Sequence, residues 1–165
     1  MTEHQYSSVV RWTGNLGKGT SEYRAYSRDH VIQFSGKPDL GGSSGLAPLS
    51  DKSRYNPDEL LVASLSACHM LWYLHLCAVN GVVVSEYVDK AAGVMRTDAD
   101  GGGRFVQVTL HPQVTILQGD EQRAMDLHAE AHRKCFIANS VNFPVEHQAV
   151  IRSAAHRTTA PLSGA

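Results

Sequence analysis

Asn56-Pro57-Asp58-Glu59-Leu60-Leu61-Val62-Ala63-Ser64-Leu65-Ser66-Ala67-Cys68-His69-Met70-Leu71-Trp72-Tyr73-Leu74-His75-Leu76-Cys77-Ala78-Val79, closed by Asn80-Gly81, is the stretch on which the fold of this chain turns. Asn56 suits an N-cap, Pro57 the first helical position, and Glu59 a capping-box partner. Asn80-Gly81 reads as a C-cap. Between these signals, Leu60 to Val79 carries no formal charge. Its length alone would allow a membrane span. Ser64, Ser66, His69 and His75 interrupt it and no basic flank follows, so no membrane partner is expected. A helix apolar on every side has to be buried on every side. One sheet and one further helix cannot cover it, and a second copy of the chain is the simplest cover.

The flanks are sheet-like. Ser7 to Trp12, Thr20 to Tyr26 and His30 to Phe34 read as an N-terminal meander, with the glycine-rich turn Gly14 to Gly19 between the first two. Ser35 to Tyr55, rich in Gly and Pro, reads as a long loop. Val82 to Met95 and Arg104 to Leu117 read as two strands around the turn Gly101-Gly102-Gly103. Asp120 to Asn139 reads as a second helix, acidic early and basic at Arg133-Lys134. Gln148 to Arg152 reads as a closing strand. The order β-β-β-α-β-β-α-β predicts an α+β fold of antiparallel sheet around long central helices. Residues 1–157 are expected to form one domain and 158–165 a disordered tail.

The chain has 165 residues, 42% of them hydrophobic and 19% charged, which is globular composition. Fifteen Lys and Arg against sixteen Asp and Glu give a net charge of −1, so the basic face of a nucleic-acid binder is not expected. Nine histidines keep metal binding and proton transfer open, and three cysteines are too few for a secreted disulfide framework. Met1-Thr2-Glu3-His4-Gln5 lacks the layout of a secretory signal, so a cytoplasmic location is expected.

Cys68 and Cys77 lie half a turn out of phase on the first helix and cannot face one pocket. Cys68 shares a stripe with Trp72 and His75, whereas Cys77 reads as a small buried hydrophobe. His69 reads as a hydrogen-bonded core histidine, and Trp72 and Tyr73 as core or dimer interface. Cys135 follows His128 and His132 at i+7 and i+3 on the second helix. That spacing leaves three readings open: a zinc site needing a fourth ligand, a structural thiol, or a reactive partner for Cys68.

The run from Asn56 to Cys68 resembles the Asn-Pro-acid helix start of the OsmC/Ohr family, the osmotically inducible and organic hydroperoxide resistance proteins. Ala131-His132-Arg133-Lys134-Cys135-Phe136-Ile137-Ala138-Asn139-Ser140 resembles the family's second-cysteine segment, and Trp12 with Gly17-Lys18-Gly19-Thr20 its early hairpin. The likeness extends over residues 7–152. It implies an intertwined homodimer and a thiol-dependent peroxidase acting on organic hydroperoxides. Cys68 would be the peroxidatic thiolate and Cys135 the resolving thiol. No bound cofactor or metal is implied. The reductant would be an external dithiol or a lipoyl-type protein.

The family's activating pair, a carboxylate holding an arginine, carries over to Asp58 by strict register, with Glu59 as the second candidate and capping-box partner. Arg54 and Lys18 are the candidate cations, with Arg24 as a third basic residue. The chain departs from the usual pattern at Asp58 (usually Glu), Lys18 (Arg in some members), His69 (often aromatic) and Phe136-Ile137 (often Pro). A lysine in place of arginine loses the planar two-point grip on a carboxylate. The competing function class is a metal- or ligand-binding protein of the same fold using His128, His132 and Cys135. A third is a non-catalytic dimer with structural thiols.

Overall fold

The first helix, α1 (Pro57–Val79), begins where the capping signals put it. The Glu59 amide donates to Asn56 Oδ1 (2.8 Å) and the Asn56 amide to Glu59 Oε2 (3.3 Å), a closed capping box. At the other end Gly81 takes a positive φ of 72° and the Val82 amide returns to the Cys77 carbonyl. The computed structural model describes residues 2–154, so the tail 158–165 lies outside the described residues. By their internal contacts the residues group into two compact units, one ending at Leu61 and the other starting at Val62.

The N-terminal unit holds an antiparallel sheet of β1 (Val9–Trp12), β2 (His30–Gln33) and β3 (Leu40–Gly42), with Trp12 opposite His30 and His30 opposite Gly42. Two expectations are corrected here. Thr20 to Tyr26 forms turns and a single bridge, Asn15 to Tyr26, instead of a strand. Its polar groups are already engaged: the Asn15 side chain accepts from the Gly17 and Gly19 amides, and the Arg28 guanidinium takes the Tyr23 and Tyr26 carbonyls while lying 4.6 and 4.2 Å from their rings. The segment 35–55, read as loop, contains β3. A Cβ on Gly42 would stand 2.2 Å from His30 Nε2, so the strand closes there only on glycine.

The second unit carries two three-stranded sheets. Strands β4 (Val83–Asp89), β7 (Pro112–Gln118) and β9 (Val150–Ser153) form one; β5 (Ala92–Thr97), β6 (Gly103–Leu110) and β8 (Val145–His147) form the other. In each sheet the first pair is antiparallel and the last, β7 with β9 or β6 with β8, is parallel. The two long strands read from sequence are thus four, and the closing strand is two. Asp89 explains both breaks. Its carboxylate accepts the His111 amide (2.6 Å) at the β6–β7 junction and the Ser66 hydroxyl (2.6 Å) of α1, anchoring the end of β4 to both.

Helix α2 (Glu121–Lys134) starts at Asp120, whose side chain accepts the Arg123 amide (2.7 Å). It ends at Lys134, short of the expected Asn139. Cys135 is extended (φ −67°, ψ 110°), and Ala138–Ser140 forms a separate 3-10 turn. Tyr73, Leu76 and Cys77 of α1, Leu127 of α2, and Val114 and Ile116 of β7 pack in one core. Full burial of side chains of this size contributes about 1.5–3 kcal/mol each. Leu65 packs separately with Val108 and Leu110 of β6.

Candidate active site

Cys68, Trp72 and His75, one stripe of α1, line a single open cavity of about 570 Å³ together with Ser64, Ala67, Leu71 and Phe136. Trp72 sets its ring perpendicular to Phe136 (5.6 Å between centroids, 89°) and to His75 (5.8 Å, 82°). Lys134 Nζ stands 5.5 Å from the Trp72 centroid. Trp72 packs against the core and also lines the cavity, whereas Tyr73, its neighbour in sequence, is fully buried in the core.

Cys135 meets Cys68. The Cys68 side chain lies close enough to act on the Cys135 thiol, with Cys68 half-buried and Cys135 only 1% exposed; all three cysteines are unbridged. The segment after α2 fixes Cys135 closely. Its amide bonds the His132 carbonyl, its carbonyl takes the Asn139 amide (3.0 Å), and its sulfur accepts the Ala138 amide (3.4 Å). Burial first, then the hydrogen bond to Cys68, pushes the Cys135 thiol up to about 11, against the pull of the Ala138 and Ile137 amides. Cys77 lies in the core as the sequence suggested, its thiol raised by burial.

The other face of α1 holds something the sequence reading missed. His69 Nε2 and His128 Nδ1 share a hydrogen bond of 3.0 Å with their rings 4° from parallel. Tyr73 stacks on His128 at 3.8 Å, and His147 of β8 lies 5.5–5.9 Å from the rings of His69, His128 and His132. Burial is the main cause that lowers His69 to about 4 and His128 to about 3, with neighbouring histidines adding to it. His147 is lowered as well, by burial and then by His132. His69 Nδ1 and His128 Nε2 are buried without a partner. The sequence signals were His69, read as a hydrogen-bonded core histidine and found as one, and His128 and His132 at i and i+4; nothing pointed to His147.

Among the described residues no group of three His, Cys, Asp or Glu side chains is arranged to hold a metal ion. His128, His132 and Cys135, the set considered for zinc, are drawn apart by other partners. His128 Nδ1 faces His69, and Cys135 meets Cys68 from beyond the end of the helix.

The remaining candidates belong to the N-terminal unit. Glu59 is committed to the capping box and Asp58 is half-buried in the first turn of α1. Arg54 Nε pairs with Asp51 Oδ2 at 3.1 Å. The Asp51 carboxyl is held below its usual range, chiefly by hydrogen bonds from Ser53. Lys18 and Arg24 are exposed.

In an α+β chain, then, one thiol opens on an apolar cavity and a second lies close behind it. The family model described as OsmC-like protein matches residues 50–149. An OsmC-like protein of unknown function from Vibrio cholerae is 31% identical, with a TM-score of 0.81 over 90% of this chain and 100% of its own. The organic hydroperoxide resistance protein of Elizabethkingia anophelis matches at 16% identity and TM-score 0.66, covering 93% of this chain and 99% of its own. OhrB, the organic hydroperoxide resistance protein of Bacillus subtilis, matches at 16% and 0.60, covering 90% and 98%. No curated protein matches the chain. The chain belongs to the OsmC-like family.

Proposed function

We propose that this protein is a cytoplasmic, thiol-dependent reductase of organic hydroperoxides, working through Cys68 and Cys135. The observation that carries the reading is the approach of the Cys135 thiol to Cys68, which lines an apolar cavity. The Cys68 thiolate attacks the terminal peroxide oxygen, the O–O bond breaks, and the alkoxide leaves and takes a proton from solvent to become the alcohol, so Cys68 becomes a sulfenic acid. Cys135 then attacks that sulfur, water leaves with the Cys135 proton, and a disulfide forms; an external dithiol resets it. An apolar cavity favours an alkyl or aryl hydroperoxide over hydrogen peroxide.

Abundant thiolate at neutral pH requires a nearby cation. Arg54 and Lys18, with Asp58 or Glu59 as the carboxylate, are the residues proposed for that role, and single charge-removing variants rank them. The protein is further proposed to be a homodimer. Leu71 and Phe136 at the cavity are 64% and 66% exposed, and a second copy would cover them.

Peroxide consumption with a dithiol reductant tests the reading. Cys68→Ser should fall to background; full turnover in that variant would overturn it. Cys135→Ser should complete one turnover and then accumulate sulfenic or sulfinic acid on Cys68, detectable by mass spectrometry.

A further inference from the structure

The two sulfurs are unlike in access and in hydrogen bonding. Cys68 lines the cavity, whereas Cys135 is 1% exposed. The Cys135 sulfur accepts the Ala138 amide at 3.4 Å, with a smaller contribution from the Ile137 amide. Those donors are rigidly held: the Ser140 amide closes on the Ile137 carbonyl (3.0 Å), the Ser140 hydroxyl on the Phe136 carbonyl (2.7 Å), and Asn139 Nδ2 on the Arg133 carbonyl (3.0 Å). Donors fixed on a sulfur favour negative charge there, because no solvent has to reorganise as the charge develops.

From this asymmetry, and resting on the two-cysteine reading above, we propose that the Cys68–Cys135 disulfide is opened in one direction. The reductant attacks Cys68 from the cavity, and Cys135 departs as a thiolate held by the Ala138 and Ile137 amides. In the first exchange the reductant thiolate forms a bond to Cys68 Sγ, the S–S bond to Cys135 breaks, and its electron pair leaves on Cys135. In the second exchange the reductant's other thiolate attacks its own sulfur in the mixed disulfide and releases Cys68 as a thiolate. The reductant is oxidised to a disulfide, and its two thiol protons end on Cys68 and Cys135. In the reduced protein burial and the Cys68 side chain outweigh the two amides, so access from the cavity sets the direction, and the amides lessen the penalty on the departing Cys135 thiolate. The segment 136–140 is thus a positioning element for the reductive half of the cycle.

The test begins from the full chain oxidised with diamide, which forms the disulfide without any peroxide chemistry. Oxidised protein is mixed with a large excess of a simple alkyl monothiol, 2-mercaptoethanol, quenched rapidly in acid, alkylated and mapped by mass spectrometry. The adduct should lie on Cys68 in about tenfold excess, with Cys135 alkylated as the free thiol. An adduct on Cys135, on both equally or on neither, or no Cys68–Cys135 disulfide after diamide, would overturn the proposal. Ala138→Pro, which deletes the amide, should slow reduction by dithiothreitol about tenfold, and Ala138→Gly should leave it unchanged. Equal rates in the two variants would also overturn it. The outcomes separate from those of the peroxidase reading. Disulfide opened at Cys68 in a protein that consumes no peroxide sinks that reading alone, and peroxide turnover with the adduct on Cys135 sinks this one alone.

Discussion

Cys68 and His69 are consecutive residues on one helix, yet they face opposite conditions. Cys68 opens on a cavity bounded by Trp72, His75 and Phe136, while His69 is 1% exposed and packs against His128. The thiol side has access and loose apolar cover. On the histidine side His69 and His128 are shut off from solvent, and their imidazoles are held neutral at ordinary pH because charging them there costs solvation. Titratable character alone therefore does not mark the reactive side of α1: His69 and His128 lie sealed on one side, and the proposed chemistry falls to the cysteine on the open one.

The sharpest test of that contrast is packing. Tyr73→Ala, on the sealed side, should cost about 3–5 kcal/mol in denaturant unfolding, as truncation of a large buried ring does. A loss under about 1 kcal/mol would mean that side is not tightly packed.

Acid comes next. His69 and His128 have folded pKa values of about 4 and about 3, both lowered from 6.5, so the unfolded chain binds more protons on acidification. Their stabilising effect is complete above about pH 6.5 and is lost as the pH falls toward those folded values. Each histidine should remove up to about 1.4 kcal/mol per pH unit in that window. Denaturation midpoints measured from pH 7 to 4.5 should fall accordingly, and the slope should flatten in His69→Gln. An unchanged slope in that variant would show that the sealed cluster does not govern acid stability.

The open side should respond least in folding and most in assembly. Leu71→Glu at a 64% exposed position should change the stability of the single chain by no more than about 0.5 kcal/mol. The same variant should shift light-scattering mass from dimer to monomer if this face meets a second copy. A monomeric unsubstituted protein would remove the proposed cover, and an unaffected dimer would place its interface elsewhere.

Local signals were legible wherever the physics was local. The capping box of Asn56 and Glu59, the Gly81 stop and the Cys68–Trp72–His75 stripe all follow from hydrogen-bonding needs and helical phase, and the structure carries each of them. α2 stopped earlier than its composition suggested because nothing in Cys135-Phe136-Ile137 announces an extended residue, and only the tertiary contact with Cys68 gives that bend a purpose. The strand breaks were hidden for a similar reason. Asp89 reads as an ordinary polar residue until the fold brings Ser66 and the His111 amide to its carboxylate.

By itself the sequence determined two helices, their start signals, the strand-rich flanks and the phase that sets Cys68 apart from Cys77, since all of these depend on neighbours within a few residues. Tertiary structure alone decided that Cys135 meets Cys68, that four histidines from α1, α2 and β8 gather around the buried His69–His128 pair, and that the Ala138 amide faces a sulfur. Those pairings join residues distant in the chain, and long-range contact is settled by packing and by the satisfaction of buried polar groups, neither of which has a local signature.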